Sequence, residues 1–255
     1  MGDQIVITKN TLAVSRPLPL QGAKNVRDLG GYIGTGGVAT RRGAFLRADS
    51  LGRLSEQDRQ ALYQYGVRCV IDLRSEQELQ REPNRLKGYC DIEYENISIS
   101  DGVQSSGLQG NDFPPTMADL YIGLLDSAGP SIYQVMQTAL RYPRETVLFH
   151  CSAGKDRTGT VAMLLLELCG VSEEAIIADY AATEIYMKDL FASQKAQMEA
   201  LGMHVPDYLL QAKPQDMART LQHLHHRYRS AAGYLAEIGL SSEEIQALQL
   251  KLIGE

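Results

Sequence analysis

The sequence predicts an α/β fold: a central, largely parallel β-sheet flanked by helices, with a helical C-terminal third. Three observations predict it. Thr146–Phe149 is a short apolar strand that feeds, through a glycine-containing turn, an apolar helix over Val161–Cys169. Arg68–Arg74 carries the β-branched run of a strand buried on both faces of a parallel sheet. Helical segments alternate with these strands, and from Ser172 onward the pattern is helical, broken at Gly202, Pro206 and Pro214.

Taken in order, residues 4–16 alternate enough for an edge strand or hairpin arm, closed by Pro17 and Pro19. Asn25–Gly31 has the aspartate and paired glycines of a tight turn. Gly34, Gly36 and Gly37 mark a second turn, and Gly43–Arg47 is a strand. Arg47, at its end, suits either pairing with a buried carboxylate or contact with a ligand. Ser55 and Asp58 are the capping pair of a helix whose apolar face carries Leu62 and Tyr65. Asp72 lies near the carboxyl end of its strand, where open α/β sheets bind ligands, although a turn or capping role fits too.

Ser75–Glu82 is a short polar helix stopped by Pro83, and Asp91–Ile99 alternates as another strand. Residues 100–115 are too long for an ordinary connection and are expected to form a flap beside the site. Thr116 and Asp119 open a helix with Leu120, Leu124 and Leu125 on one face. A further helical repeat runs from Ile132 to Leu140 before Tyr142 and Pro143 break it. Ser172 starts a helix that contains Asp179 and Tyr180, and Ser241–Ile253 is the capped last helix.

The 255 residues, 44% of them hydrophobic, suffice for a substantial core, and one domain over residues 1–255 is expected. A net charge of −6 with no basic tract gives a nucleic-acid surface no support. Cys69, Cys90, Cys151 and Cys169 lack the spacing of a disulfide framework or a zinc site. His223, His225 and His226 point to different faces of a helix and have no suitably spaced ligand partner, so neither metal nor cofactor is expected. The amino terminus has no signal-peptide pattern, and the apolar run Val161–Val171 contains Glu167 and is too short to span a bilayer. The expected location is cytoplasmic, with signal-less export left open.

The chemistry concentrates between His150 and Gly159. A strand, a turn and a helix start leave backbone N–H groups without intrahelical partners at the positive end of a helix dipole, which is an anion site. Cys151 stands at its base and Arg157 six positions on, so thiolate and guanidinium can face one tetrahedral anion. A thiol must ionise to act, and helix N-termini with nearby cations favour the thiolate. Arginine adds a rigid fork for two phosphate oxygens. A lone cysteine between apolar residues is usually a packing residue, but Gly154, Lys155 and Arg157 at fixed spacing argue against that. A nucleotide-binding loop would need glycine at Phe149 and serine or threonine at Asp156.

The run His150–Gly159, with its C-x5-R spacing and H-C-x-x-G-K-D-R-T-G form, resembles the bacterial cysteine-dependent tyrosine phosphatases of broad phosphotyrosine, phosphoserine/threonine and phosphoinositide specificity. Asn25–Gly31, Leu46–Ser50, Ile71–Ser75 and Asp179–Tyr180 fall where that family has similar segments, so the likeness covers nearly the whole chain. It implies a protein tyrosine phosphatase-like fold and a phosphorylated protein or phosphoinositide as substrate, with phosphate or another oxyanion in the site. Cys151 is expected to attack phosphorus while Ser152, Ala153, Gly154, Lys155, Asp156 and Arg157 bind the phosphoryl oxygens.

Asp156 matches the family's position for the general acid; a structural carboxylate is its alternative, and Asp72 is the second candidate, for proton transfer or for orienting Arg157. The Trp-Pro-Asp loop that carries the acid in many tyrosine phosphatases is absent, since the chain has no tryptophan, which leaves Asp112 and Asp119 as further candidates. His150 is expected to orient the loop, and Thr158 to donate to the sulfur or to cap the helix. Lys155 is expected to add charge at the pocket rim, where the family uses lysine for inositol phosphates, or else to be a solvated lysine. Family members can carry helices over the pocket at Tyr186, Met187, Leu190, Phe191, Met198 and Met203, for which core packing is the alternative. A catalytically lapsed phospho-ligand-binding module is the competing function.

Overall fold

A computed structural model describes residues 15–100, 114–200, 202 and 206–254. Five strands, β1 (Arg27–Asp28), β2 (Phe45–Ala48), β3 (Val67–Asp72), β4 (Glu93–Asn96) and β5 (Thr146–His150), form one sheet in the order β1-β2-β5-β3-β4. The pairs β2·β5, β5·β3 and β3·β4 are parallel, and β1 runs antiparallel to β2. The fold is therefore the expected α/β architecture with a mostly parallel sheet.

β5 is central and buried at every residue, as its unbroken apolar sequence demands. Its register sets Ala48 of β2 and Asp72 of β3 both opposite His150, so three strands end together where the chain leaves β5. The strand expected over Asp91–Ile99 is shorter, because β4 is an edge with one partner; beyond it Ile97 and Ile99 still donate to the Asp72 and Leu73 carbonyls.

Alternation along the strands divides the core. Phe45, Ile71 and Phe149 face the larger cluster, while Leu46, Val70 and Leu148 face the smaller one. The helices are α1 (Glu56–Tyr65), α2 (Glu76–Arg81), α3 (Met117–Ser127), α4 (Gly129–Leu140), α5 (Asp156–Leu168), α6 (Glu173–Tyr186), α7 (Lys188–Ala200), α8 (Pro214–Tyr228), α9 (Ala231–Glu237) and α10 (Ser242–Ile253), with a 3-10 turn at Asp207–Leu210. α5 is buried on nearly all sides, so its leucines and methionine each gain about 1.5–3 kcal/mol by leaving water. That burial anchors the helix that the Cys151–Lys155 turn leads into. The caps at Ser55, Thr116, Ser172 and Ser241 form as their sequences predict. The expected edge strand at residues 4–16 and the flap at 100–115 lie largely outside the described residues.

Candidate active site

At the end of β5 the chain passes through Cys151–Lys155 and enters α5 at Asp156. Gly154 makes the bend possible. Its φ is +67°, and a Cβ there would stand 2.6 Å from the Ala48 carbonyl oxygen and 2.9 Å from Asn25 Nδ2, so no other residue fits. Among the described residues, the backbone N–H groups of Ser152 to Asp156 have no acceptor. Five successive amides thus stand at the head of a buried helix, the arrangement by which helix N-termini receive anions.

Arg157 is buried at the end of this loop and is held by a residue missing from the sequence reading. Its Nη1 and Nη2 donate to the two carboxylate oxygens of Glu78, each at 2.8 Å, and Nη1 also reaches the Leu73 carbonyl at 3.3 Å. Ser152 Oγ donates to the same carboxylate at 2.6 Å. The Ser75-x-x-Glu78 pattern is a capping box that marks the start of α2, but it gives no sign of the reach of Glu78 to the loop. Burial works against the Glu78 carboxylate, yet the hydrogen bonds and charge of Arg157, with Ser152 and Ser75, outweigh it and hold the group at about 2 instead of the usual 4.5.

A folded-state value below the unfolded one stabilises above pH about 4.5, and the gain is lost as pH falls toward 2. The shift corresponds to about 3 kcal/mol at 12% side-chain exposure. Glu78→Gln is therefore expected to flatten stability across that window. Urea unfolding of both proteins at several acidic pH values checks it; parallel curves would contradict the assignment.

Asp72 lies beside the loop, as expected from its register, but it does not take the Arg157 fork. Arg74 occupies it instead, through Nε at 2.9 Å and Nη2 at 2.8 Å, joined by the Tyr94 hydroxyl at 3.1 Å, Asn84 Nδ2 at 3.3 Å and His150 Nε2 at 3.1 Å. Burial opposes ionisation, but His150 and Arg74 hold the Asp72 carboxyl well below the usual range. Both of its oxygens are thus taken by these donors. The Nδ1 of His150 faces the Cys151 carbonyl at 3.0 Å, which requires a proton on that nitrogen and ties the ring to the loop. Asn84, whose Nδ2 is 2.8 Å from His150 Nε2, is a second residue that the sequence reading did not single out.

Asp156 has one oxygen fixed. Its Oδ1 accepts from the Tyr121 hydroxyl at 2.7 Å and lies 3.4 Å from Lys155 Nζ, while Tyr121 and Tyr180 share a hydrogen bond of 2.6 Å. Burial keeps both tyrosines protonated. Lys155 departs from both expectations, since it is neither solvated nor at an open rim. It is buried, with Nζ donating to the Leu209 and Gln211 carbonyls at 2.5 and 3.1 Å beneath the Phe191 ring. Met187 and Phe191 pack on Ala153 of the loop, with Leu190 and Leu210 beside them, so α7 and the 3-10 turn lie over that loop. Tyr186 stacks on Arg27 instead, Met198 is absent from this cluster, and Met203 is outside the described residues.

The hydroxyl of Thr158 is buried and has no partner among the described residues. Arg47 pairs with the buried Asp179, the first of its two alternatives. Asp119 serves the start of α3 with Thr116 and pairs with Arg219, and Asp112 lies outside the described residues. His223 faces Asp126, and His225 lies between Glu167 and Glu173. Burial pushes the thiols of Cys69 and Cys169 up to about 12. A cleft of about 450 Å³ begins at Ser152 and is walled by Lys24, Ser50, Arg53, Met187 and Leu190.

Residues 18–254 match the model of the tyrosine phosphatase family. A tyrosine-protein phosphatase from Nostoc commune is 37% identical over 221 residues, covering 82% of this chain and 74% of that protein. The triple specificity protein phosphatase PtpB of Mycobacterium tuberculosis is 28% identical, covering 92% and 98%. A solved structure of TpbA from P. aeruginosa aligns at a TM-score of 0.36 and 13% identity over 80% of this chain and 91% of that one, a likeness too slight to inform the site.

Proposed function

The chain belongs to the tyrosine phosphatase family, and on that premise we propose that it hydrolyses phosphomonoesters through a phosphocysteine formed on Cys151. The observation that carries this is the position of Cys151 at the start of a loop whose amides, from Ser152 to Asp156, have no acceptor among the described residues, with Arg157 closing the same loop. The presence of Cys151, Asp156 and Arg157 together favours an enzyme over a lapsed binding module.

In the first step the Cys151 thiolate attacks phosphorus, the S–P bond forms and the P–O bond to the leaving group breaks. The amides of residues 152–156 and the Arg157 guanidinium, which Glu78 steadies, hold the three non-transferring oxygens. Asp156, anchored at Oδ1 by Tyr121, gives its proton to the leaving oxygen. In the second step water attacks phosphorus, the S–P bond breaks and Asp156 takes the water's proton. Thr158, whose buried hydroxyl has no other partner among the described residues, donates to the departing sulfur. His150 and Asp72 orient the loop from behind.

The substrate is phosphotyrosine, with phosphoserine, phosphothreonine and phosphoinositides as further substrates. The broad specificity in the mycobacterial relative's name supports the wider range. α7 with the 3-10 turn is the lid of the site, latched by Lys155. A cysteine thiolate suits a reducing, cytoplasmic setting, and no described helix is long and apolar enough to cross a membrane.

Leaving-group chemistry tests the acid. Asp156→Asn is expected to slow phosphoserine-peptide hydrolysis by about 10²-fold or more, and p-nitrophenyl phosphate, whose phenolate leaves unaided, far less. Equal losses on both substrates would make Asp156 a structural carboxylate.

A further inference from the structure

In a trans peptide the carbonyl and the following N–H point in opposite directions. Whatever holds carbonyl i therefore also aims the amide of residue i+1. Four successive carbonyls of the loop are each taken by a donor outside it. His150 Nδ1 holds that of Cys151 at 3.0 Å, Ser50 N that of Ser152 at 3.0 Å, Asn25 Nδ2 that of Ala153 at 3.2 Å, and Arg47 Nη2 that of Gly154 at 2.6 Å. The amides of Ser152, Ala153, Gly154 and Lys155 are thereby turned to the opposite side, where they have no acceptor among the described residues.

Two of these donors, Asn25 and Arg47, are side chains with no part in the chemistry above, and both are themselves held. Arg47 Nη1 pairs with Asp179, as does Arg27 Nη1, and the Tyr32 hydroxyl donates to the same carboxylate at 2.8 Å. Arg27 Nε donates to Asn25 Oδ1 at 2.9 Å, which fixes the amide so that its Nδ2 faces the loop. The Asn25 backbone is fixed in turn by Asp49 at 2.9 Å. All of these groups are buried, and two guanidiniums against one carboxylate leave positive charge directly behind Gly154.

Glycine gives this device its purpose. Gly154 has the widest backbone freedom in the loop, so an unheld peptide at 154–155 could rotate and turn the Lys155 amide away from the anion.

Resting on the reading of Cys151–Arg157 as an oxyanion cradle, we propose that Asn25 and Arg47 are positioning residues of that cradle: they hold the Ala153 and Gly154 carbonyls outward so that the Gly154 and Lys155 amides face the phosphoryl group, with Asp179 keeping Arg47 aimed. Asn25 and Arg47 touch neither substrate nor leaving group. Their effect is on how well the amides fit the transition state, so it appears in oxyanion affinity and in kcat more than in KM.

The test measures tungstate binding by calorimetry in a Cys151→Ser parent, where turnover cannot interfere, for Asn25→Ala and Arg47→Lys. Arg47→Lys keeps a cation against Asp179, but one ammonium cannot fork onto both that carboxylate and the Gly154 carbonyl. Each variant is expected to raise the tungstate Kd about tenfold or more, and in proteins retaining Cys151 to lower kcat by a similar factor with KM little changed. Leu248→Ala, a core substitution on α10, is the control: it should lower Tm and leave tungstate affinity alone.

Unchanged affinity in the folded variants, or a weakening in the control that matches its loss of Tm, overturns the proposal. Should Arg47→Lys fail to fold, the neutral Asn25→Ala decides by the same criterion, with Asn25→Ser in its place if needed. A parent that binds no tungstate overturns the cradle itself, whereas turnover that survives Cys151→Ser overturns only the nucleophile.

Discussion

Replacing Arg157 by lysine is expected to lower kcat/KM for p-nitrophenyl phosphate by about 10³-fold or more while the fold persists, because a guanidinium stabilising a transferring phosphoryl group is worth that much. The two side chains carry the same charge and differ in geometry. Arg157 presents parallel donors, which in the free protein meet both oxygens of Glu78. A lysine ammonium is a point donor and cannot pair with Glu78 and grip two phosphoryl oxygens together. It still gives Glu78 a cation, so the fold is not left with an unpaired buried carboxylate. Steady-state kinetics with a thermal melt checks both halves of this expectation; a loss under tenfold would mean that charge alone suffices and that the fork has no role.

What was legible in the sequence is what is local. The strand, turn and helix between Thr146 and Leu168 and the caps at Ser55 and Thr116 follow from residues a few positions apart, and the structure has them there. The site's second layer was not legible, because its contacts join distant parts of the chain. Glu78 is 79 residues from Arg157, and nothing near either one announces the other. Asn25–Gly31 has the local pattern of a turn, and Asp28 does accept from the Gly30 amide as turn aspartates do. The same segment sends Asn25 and Arg27 into the network behind Gly154, which no local pattern encodes.

Lys155 erred in the other direction. Lysine is rarely buried, yet here the Leu209 and Gln211 carbonyls compensate the ammonium under Phe191. Asp72 was placed correctly beside the loop, but its partner was two residues away, where Arg74 claims it.

Everything in the chemical account depends on the sulfur of Cys151 as the attacking atom. Serine at that position keeps the size and the surrounding amides but replaces a thiol with a hydroxyl that does not ionise in the same range. The decisive measurement is therefore Cys151→Ser assayed with p-nitrophenyl phosphate, without added metal, beside tungstate binding on the same preparation. Turnover is expected to fall by about 10⁵-fold or more, as when a covalent nucleophile is removed, while tungstate still binds. Turnover that survives the substitution would contradict the assignment of the nucleophile.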